Sequence, residues 1–241
     1  MSLTLNMVGG GSGVSINTIT VDFYSAASDT VSYVNPTDGL THTVTTDSSG
    51  HATAQIAIVK GLPTSIAFTS SVAKDPANLS NYYSKTITLT DSTTFVYVMP
   101  DDFLYWYGTM NSAYGVGDCY TLGYSNGIES YTLINITLNT NYATSSFYEQ
   151  ARTVGIGTNV PIDLSQFNSI KAHVKSARTV DSGKFNGTFY NTAKSVIRSA
   201  YIGSSSEQVY TQNISSVSTS NYVGIQSNWL GGMIVYALWL E

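Results

Sequence analysis

Charged side chains are scarce in this sequence of 241 residues, where Asp, Glu, Lys and Arg make up only 10%. An average soluble domain has roughly 25%. The formal net charge is −5 and no block of basic residues occurs, so we expect no nucleic-acid partner, because such binding requires a basic surface. The hydrophobic content of 42% separates the chain from disordered proteins, which combine low hydrophobicity with high charge.

Cysteine, export signals and long apolar runs are also nearly absent. Cys119 is the single cysteine, which excludes an internal disulfide and a cysteine metal cluster. Residues 1–13 have neither a basic start nor a long apolar run, so they predict no signal peptide. No segment reaches the roughly 20 apolar residues of a membrane-spanning helix. We therefore expect a protein made in a cytoplasm and not inserted into a membrane.

The residues that replace the missing charges favour β-structure. Ser, Thr, Asn, Gly and Tyr are abundant, and the chain has 18 tyrosines. Thr, Tyr, Val and Ile prefer strands, and no amphipathic helix longer than two turns is visible. An alternating start at Leu3, Leu5 and Met7 precedes the glycine-rich Gly9–Gly13, which is typical of a flexible joint. We predict an all-β protein that begins with an arm and joint over residues 1–13.

Turn residues divide the remainder into two predicted domains, 14–100 and 101–241. The boundary is Pro100-Asp101-Asp102, because all three tryptophans and thirteen of the 18 tyrosines lie beyond it. The first part has the strand spacing of an immunoglobulin-like sandwich without its Cys–Trp–Cys signature. Its predicted strands are Ile16–Tyr24, Thr30–Val34, Thr41–Thr45, Ala52–Ile58, Ser65–Ser71, Lys85–Leu89 and Thr94–Met99.

The second part has the pattern of a jelly-roll sandwich. Its predicted strands are Phe103–Tyr107, Tyr131–Leu138, Ser146–Val154, Ser169–Ser176, Lys184–Tyr190, Ser195–Ile202, Gln208–Asn213, Tyr222–Gln226 and Met233–Leu240. The last of these strands is apolar on both faces, whereas a strand with one wet face alternates. A sandwich offers only one core, so the other face needs a neighbouring domain or another subunit.

We therefore predict an oligomer interface on one face of this strand. The predicted interface residues are Ile234, Tyr236, Leu238 and Leu240. The other choice is the opposite set, Met233, Val235, Ala237 and Trp239. Burial of each large side chain contributes about 1.5–3 kcal/mol. The alternative is a core strand that is covered on both sides within its own chain.

An aromatic segment, Tyr105-Trp106-Tyr107, and Trp229 beside Asn228 suggest a ligand-binding surface in the second domain. Exposed Trp and Tyr rings stack on sugar rings, and amide neighbours bind sugar hydroxyls. We predict a glycan site formed by these five residues. The alternative is that the aromatic rings lie in the core or at a subunit contact.

A hydrolase motif in the sequence lacks the structural context that it needs. Gly123–Gly127 has the pattern of a nucleophile elbow, and Asp163 and His173 follow in hydrolase order. The elbow works only where a strand turns sharply into a helix, and no helix is predicted here. Asn126-Gly127 is instead a typical hairpin turn. We interpret Ser125 as a turn residue.

Three other groups are weaker candidates for chemistry: histidines without ligand spacing, loop aspartates suited to calcium, and a possible glycosidase pair. In that order they are His42, His51 and His173; Asp101, Asp102 and Asp118; and Glu129 with Glu149. An ordinary turn role is the alternative for the aspartates. We predict no catalytic residue, no metal site and no cofactor.

Three stretches resemble predicted virion proteins of tailed bacteriophages and prophages from gut bacteria. The start, Met1–Gly10, is one of them. Thr46–Ala52 is similar to a Thr-Asp-x-x-Gly-x-Ala turn of bacterial immunoglobulin-like and carboxypeptidase-regulatory-like modules. Tyr236–Glu241, preceded by Ile162–Phe167, is similar to the jelly-roll domain that closes many phage tail and fibre proteins. The resemblance implies a structural or host-binding virion component, usually trimeric, and transfers no catalytic residue.

Three classes of function follow as expectations. The first is a virion structural protein, of tail or fibre type, that presents a host-surface or glycan-binding sandwich; a head fibre or capsid decoration protein is its variant. The second is a carbohydrate-binding module of a bacterial surface protein, which would need an export signal. The third is a hydrolase, which would need a clustered site. The expected partners are further copies of the chain, other virion proteins and a host glycan.

Overall fold

The structure is a computed structural model of the chain. It describes residues 13–111, 113, 116–118, 136–138, 140–145, 154–158, 160–176, 185–190, 196–198, 201–202, 206–217, 220–227 and 233–241. The described residues contain 21 strands and no α-helix, which confirms the predicted all-β class. Within this part of the chain no helix has the length and apolar character required to cross a membrane. The predicted arm and joint lie almost entirely outside the described residues.

The chain divides into two compact units, Met1–Asp101 and Asp102–Glu241. This division lies within the predicted boundary segment. The strands of the first unit are β1 (Ile16–Tyr24), β2 (Thr30–Val34), β3 (Thr41–Thr45), β4 (His51–Val59), β5 (Thr64–Asp75), β6 (Asn78–Leu89) and β7 (Phe95–Tyr97). They form two sheets, with the orders β4-β1-β7 and β3-β2-β5-β6.

The strand order of this first sandwich differs from that of an immunoglobulin domain. In a constant-type immunoglobulin domain, the first, second, fourth and fifth strands share one sheet. Here β1 pairs with β4 and, in parallel, with β7, while β2 and β5 lie in the other sheet. The prediction of a seven-strand sandwich holds, but the strand order is not the immunoglobulin order.

Alternation in β1 shows how the sequence builds this core. Ile19, Val21 and Phe23 are buried, and the polar residues between them face outward. Successive side chains of a strand point to opposite faces, so the apolar set meets Phe68 and its neighbours from the second sheet. The Phe23 and Phe68 rings pack edge to face at 5.6 Å.

A buried carboxylate ties the loop before β2 to β5. Asp29 is completely buried, and its oxygens accept hydrogen bonds from the hydroxyls of Ser25 (2.7 Å) and Ser70 (2.6 Å). They also accept bonds from the backbone N–H (2.9 Å) and hydroxyl (3.0 Å) of Ser71. Four donors thus replace the water that a buried carboxylate loses.

The second unit contains fourteen described strands. They are β8 (Phe103–Trp106), β9 (Thr109–Met110), β10 (Val116–Asp118), β11 (Ile136–Leu138), β12 (Ala143–Ser145), β13 (Val154–Thr158), β14 (Ile162–Asp163), β15 (Ser169–Ser176), β16 (Phe185–Tyr190), β17 (Val196–Arg198), β18 (Tyr201–Ile202), β19 (Gln208–Asn213), β20 (Ser220–Ser227) and β21 (Met233–Leu240).

Two antiparallel sheets make up this unit. One contains β8-β21-β15-β19 with β9, β11 and β12, and the other contains β13-β20-β16-β17 with β10, β14 and β18. The first main strand, β8, lies beside the last, β21. Each sheet contains seven described strands, and the chain passes back and forth between the two sheets. This arrangement is the β-sandwich that was predicted for the second unit.

The interface prediction for β21 requires a correction. β21 is a central strand, paired with β15 on one edge and with β8 and β12 on the other. A β-bulge at Tyr236 shifts the alternation, so that Val235, Leu238 and Leu240 all join one core cluster. Leu238 and Leu240 are therefore buried within their own chain and are not an exposed face.

The opposite face of β21 is covered as well. Ala237 and Trp239 are buried, and the Trp239 ring packs edge to face against Trp106 at 6.1 Å. Of the predicted interface set, Ile234 and Tyr236 keep partial exposure. The expectation failed because it assumed strict alternation and a single core. The bulge changes which side chains point to each face of the strand, and side chains on both faces are buried within the chain.

Candidate functional site

The aromatic segment predicted to bind glycan is buried. Tyr105 belongs to the core of the second unit, while Trp106 and Tyr107 are covered on the opposite side of β8. All four residues of β8 are buried, so neither of its faces is free for a ligand. Asn228 and Trp229, the other predicted site residues, lie outside the described residues.

Tyr107 nevertheless occupies an unusual backbone position. It forms the two-residue turn between β8 and β9 together with Gly108, with φ angles of 43° and 94°. Positive φ at both positions is the pattern of a type I′ hairpin turn, and a bulky residue there is strained. The Tyr107 N–H donates to the Tyr236 carbonyl at 2.7 Å. The Tyr107 hydroxyl and His173 Nδ1 share a hydrogen bond of 2.7 Å.

This turn brings Tyr107 into a cluster on the outer face of the sheet, which we call the Tyr236 cluster. Its members are Tyr107, Tyr142, His173, Lys175, Glu207 and Tyr236. The Tyr236 ring stacks on His173 at 4.7 Å and 29°. It also lies 5.9 Å from the Tyr107 ring and 6.0 Å from the Tyr142 ring. Side chains from β15, β21 and three loops therefore meet around one tyrosine.

Glu207 connects the charged part of the cluster. Its carboxylate accepts a hydrogen bond from the Tyr236 hydroxyl at 3.1 Å. It also lies 3.5 Å from the ammonium of Lys175 and 3.5 Å from Nε2 of His173. The Lys175 ammonium is 5.5 Å from the centre of the Tyr236 ring. One carboxylate thus accepts hydrogen bonds from a phenol and an ammonium group and lies beside an imidazole.

These contacts fix the protonation of Lys175 and Tyr236 at neutral pH. A hydrogen bond to Tyr236, with a further contribution from Glu207, raises the pKa of Lys175. Burial raises the pKa of the Tyr236 phenol. Lys175 is therefore charged and Tyr236 is neutral, so that both keep hydrogen-bond donors near an acceptor carboxylate.

Solvent exposure increases across the cluster from its buried bottom to its rim. His173 is 1% exposed, Tyr107 is also buried, and Tyr142, Lys175 and Tyr236 are half-buried. Glu207 is exposed. Half-exposed rings held by buried neighbours, with a carboxylate and an ammonium at the rim, can stack on a ligand ring and bind its hydroxyl groups. The arrangement is suited to binding.

Only some of the candidate catalytic and metal-binding residues lie within the described part of the chain. Ser125, Glu129 and Glu149 lie outside the described residues. Asp163 is exposed, accepts the Ser165 N–H at 3.0 Å and serves a turn. The contacts described for His173 are with Tyr107, Tyr236 and Glu207.

Among the described residues no group of three potential metal ligands comes together. His42 and His51 each face one aspartate, Asp38 at 2.8 Å and Asp22 at 3.3 Å. Asp101 accepts a hydrogen bond of 2.6 Å from the Lys85 ammonium group. His42 and His51 thus each lie beside one aspartate, and Asp101 forms an ion pair with Lys85.

The sequence contained one usable signal for the cluster. Lys171, His173 and Lys175 alternate with Ile170, Ala172 and Val174 along β15. That alternation predicts a polar outer face, but it does not show that Glu207 or Tyr107 lies beside it.

Comparisons with known proteins add little to this site. No protein-family model and no curated protein matches the chain. Among solved structures the chain is similar to the xylan-binding module CBM86 of Roseburia intestinalis, with a TM-score of 0.35 and 20% identity over 44% of this chain and 82% of that one. It is also similar to the secreted serine protease VesC of Vibrio cholerae, with a TM-score of 0.33 and 10% identity over 93% of this chain and 43% of that one. Similarity at this level carries no argument about function, which rests on the site.

Proposed function

We propose that this chain is a non-enzymatic virion protein of tail or fibre type that binds a glycan through the Tyr236 cluster. The observation that carries the binding part is the half-exposed Tyr236 ring, fixed by His173 and rimmed by Lys175 and Glu207. Sugars present both apolar C–H faces and hydroxyl groups, and this cluster offers a partner for each. A glycan at the rim would donate hydroxyls to Glu207.

The virion part of the proposal is supported by the sequence resemblance to phage proteins. The same resemblance suggests a trimer. Ile234 remains partly exposed on β21, and low surface charge weakens repulsion between copies. Light scattering on the purified chain is expected to give about three times the monomer mass of 25.9 kDa. A monomer at micromolar concentration would contradict the trimer.

A glycan array tests the binding part, with two lysines on one strand as a matched pair. Lys175 and Lys171 lie on the same face of β15 and each pairs with a glutamate, but only Lys175 belongs to the cluster. We expect Glu207→Gln and Lys175→Met to weaken binding at least about tenfold, because a hydrogen bond to a charged group contributes about 1.5–3 kcal/mol. Lys171→Met should bind like the wild type.

Two results would contradict the binding proposal. One is a wild-type chain that binds no glycan on the array, and the other is equal binding by the wild type and Glu207→Gln. The virion assignment is tested separately by the genes beside the coding sequence. Tail or capsid genes there would support it, and genes for an exported surface protein would favour the stand-alone carbohydrate-binding module.

A further inference from the structure

The first unit carries a second aromatic surface that the sequence analysis did not single out. In the sheet β4-β1-β7, the residues that point away from the core form what we call the open face. They are Thr18, Thr20, Asp22 and Tyr24 on β1, His51, Thr53 and Gln55 on β4, and Phe95 and Tyr97 on β7. Each alternates with a buried residue such as Phe23, Ala54 or Val96, so the strand pattern itself presents them together.

Four rings form a continuous row at one end of the open face. Tyr24 lies between Tyr97, stacked at 4.9 Å and 10°, and His51, at 4.9 Å and 45°. Phe95 continues the row beyond Tyr97, at 6.3 Å and 19°. Pairing in the sheet sets this arrangement, because Tyr24 is opposite both His51 and Tyr97. Phe95 is 51% exposed and Tyr97 is 42% exposed.

Polar groups adjoin the row within the same sheet. Asp22 is opposite Phe95, and its carboxylate lies 3.3 Å from Nε2 of His51. Next along the sheet are the hydroxyls of Thr53 and Thr20 and the amide of Gln55, all exposed. Hydroxyl, amide and carboxylate groups beside exposed rings match the hydroxyl groups and C–H faces of a sugar chain.

We propose that the open face binds a neutral glycan chain, independently of the Tyr236 cluster. The residues of the open face include no lysine or arginine that would attract an anionic ligand, and Asp22 is their single carboxylate. An extended sheet face can accommodate several sugar units, with the ring row holding one end and the threonines facing the next units.

The size of the apolar part favours a glycan over a second copy of the chain. Two exposed aromatic rings bury at most about 300–500 Å². A stable protein interface buries about 800 Å² on each partner around an apolar centre. The other exposed residues of the open face are threonines and a glutamine, and the half-buried Tyr24 is already stacked between Tyr97 and His51, so they do not supply that centre.

Affinity electrophoresis provides the test. The full chain is run in native gels that contain soluble arabinoxylan, mixed-linkage β-glucan or galactomannan. We expect at least one of these neutral polysaccharides to retard the wild type. The double variant Phe95→Ala/Tyr97→Ala should bind it at least tenfold more weakly, and Asp22→Asn should also weaken binding. Both changed rings are exposed, so folding should persist, and circular dichroism checks this.

Tyr82→Ala is the matched control, because Tyr82 is 48% exposed in the same unit but lies on β6, outside the open face. It should bind like the wild type.

Three results would overturn the proposal: no retardation of the wild type, equal retardation of the double variant, or a wild-type dimer that the double variant converts to a monomer. Glu207→Gln separates the two sites. If it removes all retardation, the Tyr236 cluster is the only glycan site; if retardation persists in it and is lost in the double variant, the open face binds by itself.

Discussion

Replacement of Asp29 by alanine tests whether one carboxylate holds the first sandwich together. The change removes the acceptor for four hydrogen bonds without adding bulk. Ser25 and Ser70 are buried, so the hydrogen bonds that their hydroxyls donate to Asp29 are lost in a place that water does not reach. The two donors of Ser71 are only partly buried and can turn to solvent.

The expected loss follows from the two buried donors. Each unsatisfied buried hydrogen-bonding group costs about 1–3 kcal/mol, so the free energy of unfolding should fall by about 2–6 kcal/mol. That is a large share of the roughly 5–15 kcal/mol of a typical domain. Urea unfolding with a slope of about 2 kcal/mol per molar would then show a midpoint lower by roughly 1–3 M.

The two units can be followed by different spectroscopic signals in this assay. All three tryptophans lie beyond Asp101, so tryptophan fluorescence follows the second unit, whereas far-ultraviolet circular dichroism follows both. Asp29→Ala should shift the dichroism transition of the first unit. Asp47→Ala is the control, since Asp47 also accepts three hydrogen bonds but is exposed, and its shift should be much smaller. A loss below about 1 kcal/mol for Asp29→Ala would refute the reasoning, because an unsatisfied buried donor costs at least that much.

Two further predictions concern the Tyr107 turn and acid stability. Tyr107→Phe removes the hydrogen bond to His173 and should lower the stability of the second unit by about 1–2 kcal/mol, measured by tryptophan fluorescence; an unchanged midpoint would show that the ring alone holds the turn. Hydrogen bonds from the Ser49 hydroxyl, then from the N–H groups of His51 and Ser49, lower the pKa of Asp47 in the folded chain. A carboxyl with a lowered folded pKa stabilises above its ordinary value of about 4 and loses that effect as the pH falls through the folded value. The first unit should therefore lose stability below about pH 4 in a dichroism titration, and Asp47→Asn should flatten that loss.

The sequence predicted strands well where one face is buried. Ile16–Tyr24, Thr30–Val34 and Ser169–Ser176 were predicted with the bounds that the structure shows. Their alternation of buried and outward residues is a direct local signal. The strands β5 and β6 were predicted too short. Residues 72–75 and 78–84 extend them around a turn and include many polar or exposed side chains, so they lack a clear alternation of buried and exposed residues. Backbone pairing without burial leaves little trace in the sequence.

The candidate site was harder to predict, because its residues are far apart in the chain. Tyr107, His173, Glu207 and Tyr236 meet only through the position of β21 between β15 and β8. The bulge at Tyr236, which moves that ring to the outer face, has no local signal. The aromatic segment around Trp106 was assigned to a ligand surface because composition shows that rings are present but not which strand covers them.

The position of β21 also has a consequence for how the second unit folds. β21 must pair with β8, and the paired residues Trp106 and Ala237 are 131 positions apart. Closing such a long loop lowers the entropy of the chain before stabilising contacts form, so topologies of this kind fold slowly. In the first unit Tyr24 pairs with His51 and with Tyr97, across only 27 and 73 positions. The first sandwich should thus form quickly, while the sheet of the second waits for residues 233–240. A chain cut before Met233 would leave β8, β12 and β15 without their shared neighbour, and their apolar side chains would be exposed to aggregation.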